Sequence, residues 1–241
     1  MRRLFLILLC VLLLSGNTSM LIQSTAKFEE EEEVGYTSLD FTTFTEVDQG
    51  NDITIDSASK VSWTNFATRG DKSYVYKDMG VGFFDGDFTI RFEYYFDEWS
   101  NYQQTCFWAL SNAIGDNKDM EDDNGDHVFY RDYDDSDNRK LVVLENGSAT
   151  KDQIVNGNSR DILFYCTVTR DDDAGANSTG QYKFYLRTGS HEGVLLDTLS
   201  IDASAGEQND FRYIYCLTGY DTGWSSETTG YVQNMEYKLS L

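Results

Sequence analysis

Acidic residues accumulate between positions 116 and 137, where their side chains could bind a metal ion. Asp122, Asn124 and Asp126 alternate along the chain and offer the hard oxygen ligands that Ca²⁺ prefers. Asp134, in the same stretch, completes the predicted ligand set. The match to an EF-hand loop is poor, because the glycine and the terminal glutamate of that motif are misplaced. The sequence therefore suggests Ca²⁺ as a cofactor, and a plain solvated acidic loop is the alternative interpretation.

Two tryptophans stand in loop-like segments, where no core needs an indole. Trp99 occurs in DEWSNYQ, and Trp224 occurs in YDTGWSSETTG, which begins with Tyr220 and Asp221. A pyranose ring has an apolar face and a polar edge, so sugar-binding sites combine exposed aromatic rings with side chains that bind hydroxyl groups. These four residues are the predicted carbohydrate-binding residues. A tryptophan folded over the end of the protein would give the same pattern at position 224.

Other catalytic and cofactor motifs find little support in the sequence. His127 and His191 are the only histidines, and neither accompanies a Gly-x-Ser-x-Gly elbow. Two histidines and scattered cysteines do not make a zinc site. The glycine-rich segments have neither Walker nor dinucleotide-binding spacing. A serine hydrolase, a zinc protein and a nucleotide-binding protein are therefore not expected.

The composition indicates a folded and strongly acidic protein. The chain of 241 residues has 41 Asp and Glu against 19 Lys and Arg, a formal net charge of -22. Its hydrophobic fraction of 40 % is enough to build a core, unlike that of a disordered acidic tail. A surface this negative repels phosphate groups, so neither nucleic acid nor an anionic membrane surface is an expected partner.

The N-terminal segment has the pattern of a secretory signal peptide. Arg2 and Arg3 precede an apolar run at positions 4–14, and small and polar residues follow. The run is shorter than the roughly 20 residues that a membrane-spanning helix needs. We expect a signal peptide at residues 1–26 and a secreted or cell-surface location.

The rest of the chain divides into a short tether and one domain. Five consecutive glutamates, Glu29 to Glu33, are like charges that stay solvated, so residues 27–37 are predicted to be an acidic tether. Residues 38–241 contain no linker-like gap, and their length suits one all-β domain.

Three cysteines belong to the predicted domain, and export would permit disulfide bonds. Cys166 and Cys216 both lie in apolar strand-like runs and are the first choice for a bridge. Three buried free thiols, with Cys106 as the third, are the alternative, because free cysteine is among the most buried side chains.

Alternating apolar and polar residues predict β-strands throughout the domain. In the segment 88–96 every second residue is apolar, while Thr89, Arg91, Glu93 and Tyr95 face the other way. In the last strand the same alternation assigns Tyr231, Met235, Tyr237, Leu239 and Leu241 to one apolar face. The other predicted strands lie at 53–55, 61–66, 74–77, 106–110, 128–133, 141–144, 162–170, 182–186, 195–201 and 211–218.

The segments between these strands predict how they are arranged. Asn-Gly and Asp-Gly pairs mark hairpin turns, and proline is absent from the chain. About a dozen strands without crossover helices predict an antiparallel sandwich of two sheets. Trp63 and Trp108 fall within strands and are predicted core residues. The last strand could lie beside an early strand and so protect a sheet edge.

Three segments resemble successive strands of laminin-G-like domains. They are GDFTIRFEYYF at 86–96, ILFYCTVTRD at 162–171 and GQYKFYLRTG at 180–189. The most specific part is VTRD at 168–171, which resembles a recurrent strand end in that family. Laminin-G-like domains belong to the concanavalin A-like lectin and glucanase superfamily. The resemblance covers about residues 38–241 and implies an all-β jelly roll, whereas its motifs are structural and imply hardly any activity.

The β-glucan hydrolases of that superfamily carry Glu-x-Asp-x-Glu on one strand, where one acid attacks and another transfers protons. Here Glu46-Val47-Asp48 lacks the third acid. Glu93 shares a predicted strand face with Asp97, and Glu98 is adjacent, but a solvated polar sheet face explains these residues as well. We therefore predict no catalytic residue.

These features predict an exported, non-catalytic carbohydrate-recognition or surface-adhesion module whose partner is a glycan or a surface protein. The alternative is a structural or interaction component of a virion or cell-surface appendage. A divergent glycan hydrolase or lyase is the third hypothesis.

Overall fold

The computed structural model describes residues 35–66, 72–96, 103–122, 127–133, 138–145, 149–156, 161–175, 180–203, 210–221 and 228–240. The strands in this part are β1 (Thr37–Ser38), β2 (Thr45–Asp48), β3 (Ile53–Ser57), β4 (Lys60–Phe66), β5 (Ser73–Asp78), β6 (Phe88–Phe96), β7 (Gln103–Ser111), β8 (His127–Tyr133), β9 (Asn138–Glu145), β10 (Ala149–Asn156), β11 (Phe164–Asp171), β12 (Gln181–Thr188), β13 (Val194–Asp202), β14 (Tyr213–Asp221) and β15 (Thr228–Leu239). The described part also contains one α-helix, α1 (Asn117–Asp122), and one short 3-10 helix (Phe41–Thr43). Among these residues no helix has the length and apolar character needed to cross a membrane. The predicted signal peptide and the residues before Gly35 lie outside the described part.

The strands form two antiparallel sheets, as the sequence predicted. The first sheet has eight strands in the order β13-β12-β11-β6-β15-β4-β3, with β1 paired to β15. The second sheet has seven strands in the order β10-β9-β8-β7-β14-β5-β2. Successive strands from β4 to β7 alternate between the sheets. This is the connectivity of a jelly-roll sandwich, and the predicted fold class is confirmed.

The last strand lies beside early strands, as predicted, but it does not occupy an edge. β15 pairs with β6 on one side and with β4 and β1 on the other. The strands that sequence alternation missed, β1, β2 and β10, are short or mostly polar. Helix α1 lies in the predicted acidic loop, and Asp116 Oδ1 accepts hydrogen bonds from the N–H groups of Lys118 and Asp119 at 2.9 and 2.8 Å. A helix of six residues is too short to show a helical period in the sequence.

The core lies between the sheets and is built from the inward residues of the alternating strands. Trp63 and Trp108 are 1 % and 0 % exposed, so their predicted core positions are confirmed. Tyr94 of β6 joins the two sheets, because its hydroxyl group hydrogen-bonds that of Tyr130 at 2.9 Å. Its ring also stacks on Phe107 of the second sheet, with centroids 4.2 Å apart. Tyr94 thus couples aromatic packing to a polar contact across the sandwich.

The cysteines are free thiols, and the predicted bridge between Cys166 and Cys216 is wrong. Cys106, Cys166 and Cys216 are all buried and unbridged. Cys166 belongs to β11 of the first sheet and Cys216 to β14 of the second, where both pack as small apolar side chains in the core. Burial raises the pKa of the Cys216 thiol well above its ordinary value. The alternative of three buried thiols is the correct one.

Replacing Tyr94 by Ala should lower the free energy of unfolding by about 3–5 kcal/mol, because it leaves a cavity between the sheets. Replacing it by Phe should cost about 1 kcal/mol, since only the hydroxyl group is lost. Urea denaturation followed by tryptophan fluorescence measures both changes. The control is Tyr185→Ala on the outward face of β12, which we expect to cost less than about 1 kcal/mol. Equal losses at positions 94 and 185 would contradict the role assigned to Tyr94.

Candidate functional site

The face of the first sheet that points away from the second sheet carries a pocket of about 300 Å³, which we call the outer-face pocket. Its polar lining comes from strands β6 and β15, from the segments at β1 and before β4, and from the turn between β12 and β13. The residues of this lining are Ser38, Ser59, Glu93, His191, Asn234 and Glu236. The core side chains Leu39 and Met235 also contribute to the pocket wall. Residues from five segments of the chain therefore meet at one opening.

The pocket lies at a β-bulge in β15. Gln233 pairs with Glu93, whereas Glu236 pairs with Arg91, so β15 contains one more residue than β6 over this interval. The extra residue is Asn234, whose φ is 51°. Its N–H donates to the carbonyl oxygen of Ser59 at 2.9 Å. The bulge leaves the side chains of Gln233 and Glu236 on the outward face, on either side of the extra residue.

The bulge also corrects the predicted faces of β15. Tyr231 was assigned to the same apolar face as Met235 and Tyr237. In the structure Met235 is 1 % exposed in the core, whereas the ring of Tyr231 stacks on outward-facing Tyr95 with centroids 5.2 Å apart. One extra residue reverses the alternation, so Tyr231 belongs to the outward face.

Two carboxylates face the pocket from neighbouring strands. Glu93 Oε2 accepts a hydrogen bond from Gln233 Nε2 at 2.7 Å, which fixes its position. Burial raises the pKa of Glu236; the charge of Arg91 opposes this rise, and those of Glu192 and Glu93 add to it. Negative charge is thus concentrated where part of the solvent is excluded.

The turn between β12 and β13 folds over the outward face of β11 and brings His191 to the pocket. His191 Nδ1 lies 3.5 Å from the hydroxyl oxygen of Thr167, and its ring contacts Tyr165 edge to face at 5.4 Å. Burial lowers the pKa of His191, and the charge of Arg91 lowers it further, although Glu93 and Glu192 act in the opposite direction. The imidazole is therefore neutral near pH ~7 and can exchange hydrogen bonds with hydroxyl groups.

Arg91 stands beside the carboxylates but is held by other groups. Its Nη2 lies 3.3 Å from Glu192 Oε1, and its guanidinium carbon lies 4.3 Å from the centroid of the Tyr36 ring. These contacts connect β6 to the β12–β13 turn and to the segment before β1.

Half-buried tyrosines extend from the pocket along the outward face. The stacked rings of Tyr95 and Tyr231 lie next to Glu93 and Gln233 on their own strands. The Tyr95 hydroxyl donates to Asp161 Oδ1 at 3.2 Å. The Lys60 ammonium lies 4.2 Å from the centroid of the Tyr231 ring. The outward face therefore offers aromatic surface beside fixed hydrogen-bonding groups.

The opposite surface of the sandwich also carries tyrosines, but most of them are covered. Tyr74, Tyr213 and Tyr215, on the outward face of the second sheet, are 7 %, 8 % and 0 % exposed. Tyr215 donates to the carbonyl oxygen of Ala113 at 2.8 Å, in the segment that leads to α1. Burial raises the pKa of Tyr215. Among the described side chains, those around Tyr215 thus form a second small core.

The predicted carbohydrate-binding residues lie at or beyond the limits of the described structure. Trp99 and Trp224 are outside the described residues, and the side chains of Tyr220 and Asp221 are also outside the description. Gln103, where β7 begins, pairs with Asp221, where β14 ends. The strands that flank the two tryptophan segments therefore end side by side.

The predicted calcium ligands also fall outside the described side chains. Asp122 is the last residue of α1, and Asn124, Asp126 and Asp134 are outside the described residues. Strand β8 occupies His127–Tyr133, between Asp126 and Asp134 in the sequence. Within the described ranges no group of three or more His, Cys, Asp or Glu side chains could hold a metal ion.

The acids compared with the glucanase motif have separate positions. Glu93 faces outward as predicted, while Asp97 and Glu98 lie outside the described residues. Asp48 accepts a hydrogen bond from the N–H of Ile53 at 2.9 Å and thus stabilises the turn after β2. Glu236 was not predicted as a site residue, because its approach to Glu93 depends on strand pairing and on the bulge. Only the interval of three residues between the buried side chains Val232 and Met235 hints at that bulge.

Comparison with solved structures identifies the fold as the concanavalin A-like jelly roll. A PL-14 alginate lyase from Aplysia kurodai is similar with a TM-score of 0.56 and 9 % identity, over 86 % of this chain and 99 % of that one. Lectin II of Ulex europaeus, in complex with galactose, gives a TM-score of 0.56 and 8 % identity over 86 % and 99 %. The lumenal domain of VIP36, bound to Ca²⁺ and Man3GlcNAc, gives 0.55 and 10 % over 85 % and 89 %. No protein-family model and no curated protein sequence matches the chain. The resemblance found in the sequence is thus confirmed for the fold.

Replacing Glu236 by Gln should raise the melting temperature at about pH 7 by about 1–2 °C. Its folded pKa is raised, so the folded protein holds this proton more tightly than the unfolded chain, and ionisation costs stability as the pH rises above the ordinary value of 4.5. The gain should shrink at about pH 4, where the wild-type carboxyl is protonated in both states. The matched control is Asp56→Asn, which removes one charge from an exposed position on β3. A lower melting temperature for Glu236→Gln than for the control at neutral pH would show that ionised Glu236 does not destabilise the fold.

Proposed function

We propose that the protein is an exported, non-catalytic carbohydrate-recognition module whose glycan binds at the outer-face pocket. The main support for the proposal is that half-buried tyrosine rings lie next to polar side chains whose positions are fixed by hydrogen bonds or close contacts. The stacked pair of Tyr95 and Tyr231 lies beside the pocket on its own strands, while Glu93 and His191 are each fixed by one hydrogen bond or close contact. Sugars need this combination, because their rings have an apolar face and their hydroxyl groups need directed partners.

The solved structures with a similar fold support a carbohydrate ligand. They include lectin II of Ulex europaeus with galactose, VIP36 with Man3GlcNAc and the alginate lyase Aly36B with an alginate trisaccharide. Their identities to this chain are 13 % or lower, so they support the ligand class by analogy alone. The signal-peptide pattern at residues 1–26 supports export to a compartment where glycans are accessible.

The charge of the chain argues against an acidic glycan. A polyuronate such as alginate carries one carboxylate per sugar, and the protein has a net charge of -22. Repulsion between the two should slow their association and weaken it at low ionic strength. Neutral or cationic glycans are therefore the expected ligands.

A panel of neutral and charged oligosaccharides should identify at least one binding glycan, and Tyr231→Ala should weaken its affinity by about tenfold. The affinity should fall because the variant lacks the aromatic ring on which the sugar packs. Isothermal titration with the glycan that binds most tightly measures this change. Tyr185→Ala is the matched control, because this tyrosine lies on the same sheet face but not beside Glu93 and Gln233. Concentration-dependent assembly without binding of any glycan would favour a structural component instead. Sugar release that depends on Glu93 would contradict the non-catalytic assignment.

The same titration can separate the outer-face pocket from the predicted loop residues. Trp99→Ala and Trp224→Ala should leave the affinity within about twofold if the glycan binds only at the pocket. A loss with the tryptophan variants but not with Tyr231→Ala would move the site to the strand ends. That result would retain the carbohydrate function and reject the pocket as its site.

We also propose that Ca²⁺ binds between α1 and β8, through the oxygen atoms of Asp122, Asn124 and Asp126. Oxygen donors of this kind fit a hard cation, and the similar VIP36 domain is Ca²⁺-bound. Addition of Ca²⁺ should raise the melting temperature by several degrees, because binding stabilises the folded state by about 2.7 kcal/mol at a hundredfold excess over the Kd. Asp126→Asn should abolish the increase, whereas Asp56→Asn should retain it. No increase over controls with Mg²⁺ and EDTA would reject the calcium site.

A further inference from the structure

We propose that the outer-face pocket selects a cationic amino sugar, that is, a hexosamine unit whose amino group is free and protonated. This inference rests on the proposed carbohydrate function and specifies the ligand class of the same pocket. Three observations support it: the charges that line the pocket, the groups that contact the nearby cations, and the aromatic rings beside the pocket.

The ionisable lining of the pocket is negative at neutral pH. Glu93 and Glu236 contribute two carboxylates, and His191 is neutral because its pKa is lowered by burial. Glu192 also lies close to Glu236 and His191, but its charge is paired with that of Arg91. A bound cation would offset this repulsion between like charges.

Protein cations also lie near the pocket: the charge of Arg91 acts on Glu236, and that of Arg187 acts on His191. Arg91 forms an ion pair with Glu192 and covers the ring of Tyr36. The ammonium of Lys60 lies against the ring of Tyr231, at the rim of the aromatic surface. Glu93 is hydrogen-bonded to the neutral amide of Gln233, so its charge is positioned without being neutralised. An ammonium group from a ligand can therefore form charge-assisted hydrogen bonds with these carboxylates.

An organic cation fits the pocket better than a metal ion does. In the described part of the chain no cluster of three or more His, Cys, Asp or Glu side chains is placed to hold a metal. The volume of about 300 Å³ lies at the lower end of the range for small-molecule sites, which suits a sugar unit. The paired rings of Tyr95 and Tyr231, beside Glu93 and Gln233, add apolar surface for a pyranose.

The overall charge of the protein favours the same ligand class. A net charge of -22 attracts a polycationic chain and accelerates its association. The pocket would then supply the selectivity, through carboxylates on both sides of the bulge. A neutral glycan would leave their charges uncompensated and should bind more weakly.

The test compares three β-1,4-linked tetrasaccharides that differ only at carbon 2: the glucosamine, the N-acetylglucosamine and the glucose tetramer. Titration calorimetry at about pH 6 keeps much of the amine protonated. The glucosamine tetramer should bind at least about tenfold more tightly than the other two. Glu236→Gln should remove this preference by weakening the binding of the glucosamine tetramer about tenfold.

Two controls show whether the pocket itself is responsible. Asp56→Asn removes the same charge at a residue that does not line the pocket and should retain the preference. An equal loss of preference in both variants would mean that overall charge attracts the amine, and it would overturn the inference. A melting temperature of Glu236→Gln at or above that of the wild type shows that the variant is folded.

The remaining outcomes separate this inference from the proposed function. Equal binding of all three tetramers, still sensitive to Tyr231→Ala, would overturn the amine selectivity and retain carbohydrate recognition. Binding of none of the three would overturn the amine selectivity too, and carbohydrate recognition would then depend on the wider oligosaccharide panel.

Discussion

The packing of β6 against the second sheet is the constraint on which the rest of the structure depends. Phe88, Ile90, Phe92 and Tyr94 are all 1 % exposed or less, so their faces are fixed by the core. Because side chains alternate along a strand, the same packing fixes the residues between them on the outward face. Glu93 and Arg91 are therefore positioned by hydrophobic contacts on the other side of the sheet. The site is rigid because the core beneath it is rigid.

Much of the fold could be predicted from the sequence, because burial imposes a period of two on it. The strands around Trp63, Trp108 and Glu93 follow this period and were placed on the correct faces. The cysteine pairing could not be predicted, since a buried thiol and a disulfide both suit an apolar strand. The choice between them depends on which strands face each other, and the sequence of one strand does not contain that information.

The pocket was harder to predict than the fold, for a physical reason. His191 reaches it because a turn folds across β11, and Glu236 reaches it because β15 pairs with β6. Both approaches are long-range consequences of packing, whereas alternation reports only local structure. Tyr231 was assigned to the wrong face for the same reason. A single departure from alternation places Tyr231 on the surface instead of in the core.

The pocket depends on the bulge at Asn234, whereas the core of the fold does not. Without this one residue, Gln233 and Glu236 would still face outward and Met235 would still face the core, so β15 would be a regular strand. The core would keep its contacts, while the opening beside Glu93 would lose the residue that widens it. The smallest difference between a sandwich with this pocket and one without it is thus one amino acid. A binding site could be gained or lost in this scaffold by a single insertion or deletion, with little cost to the core that supports it.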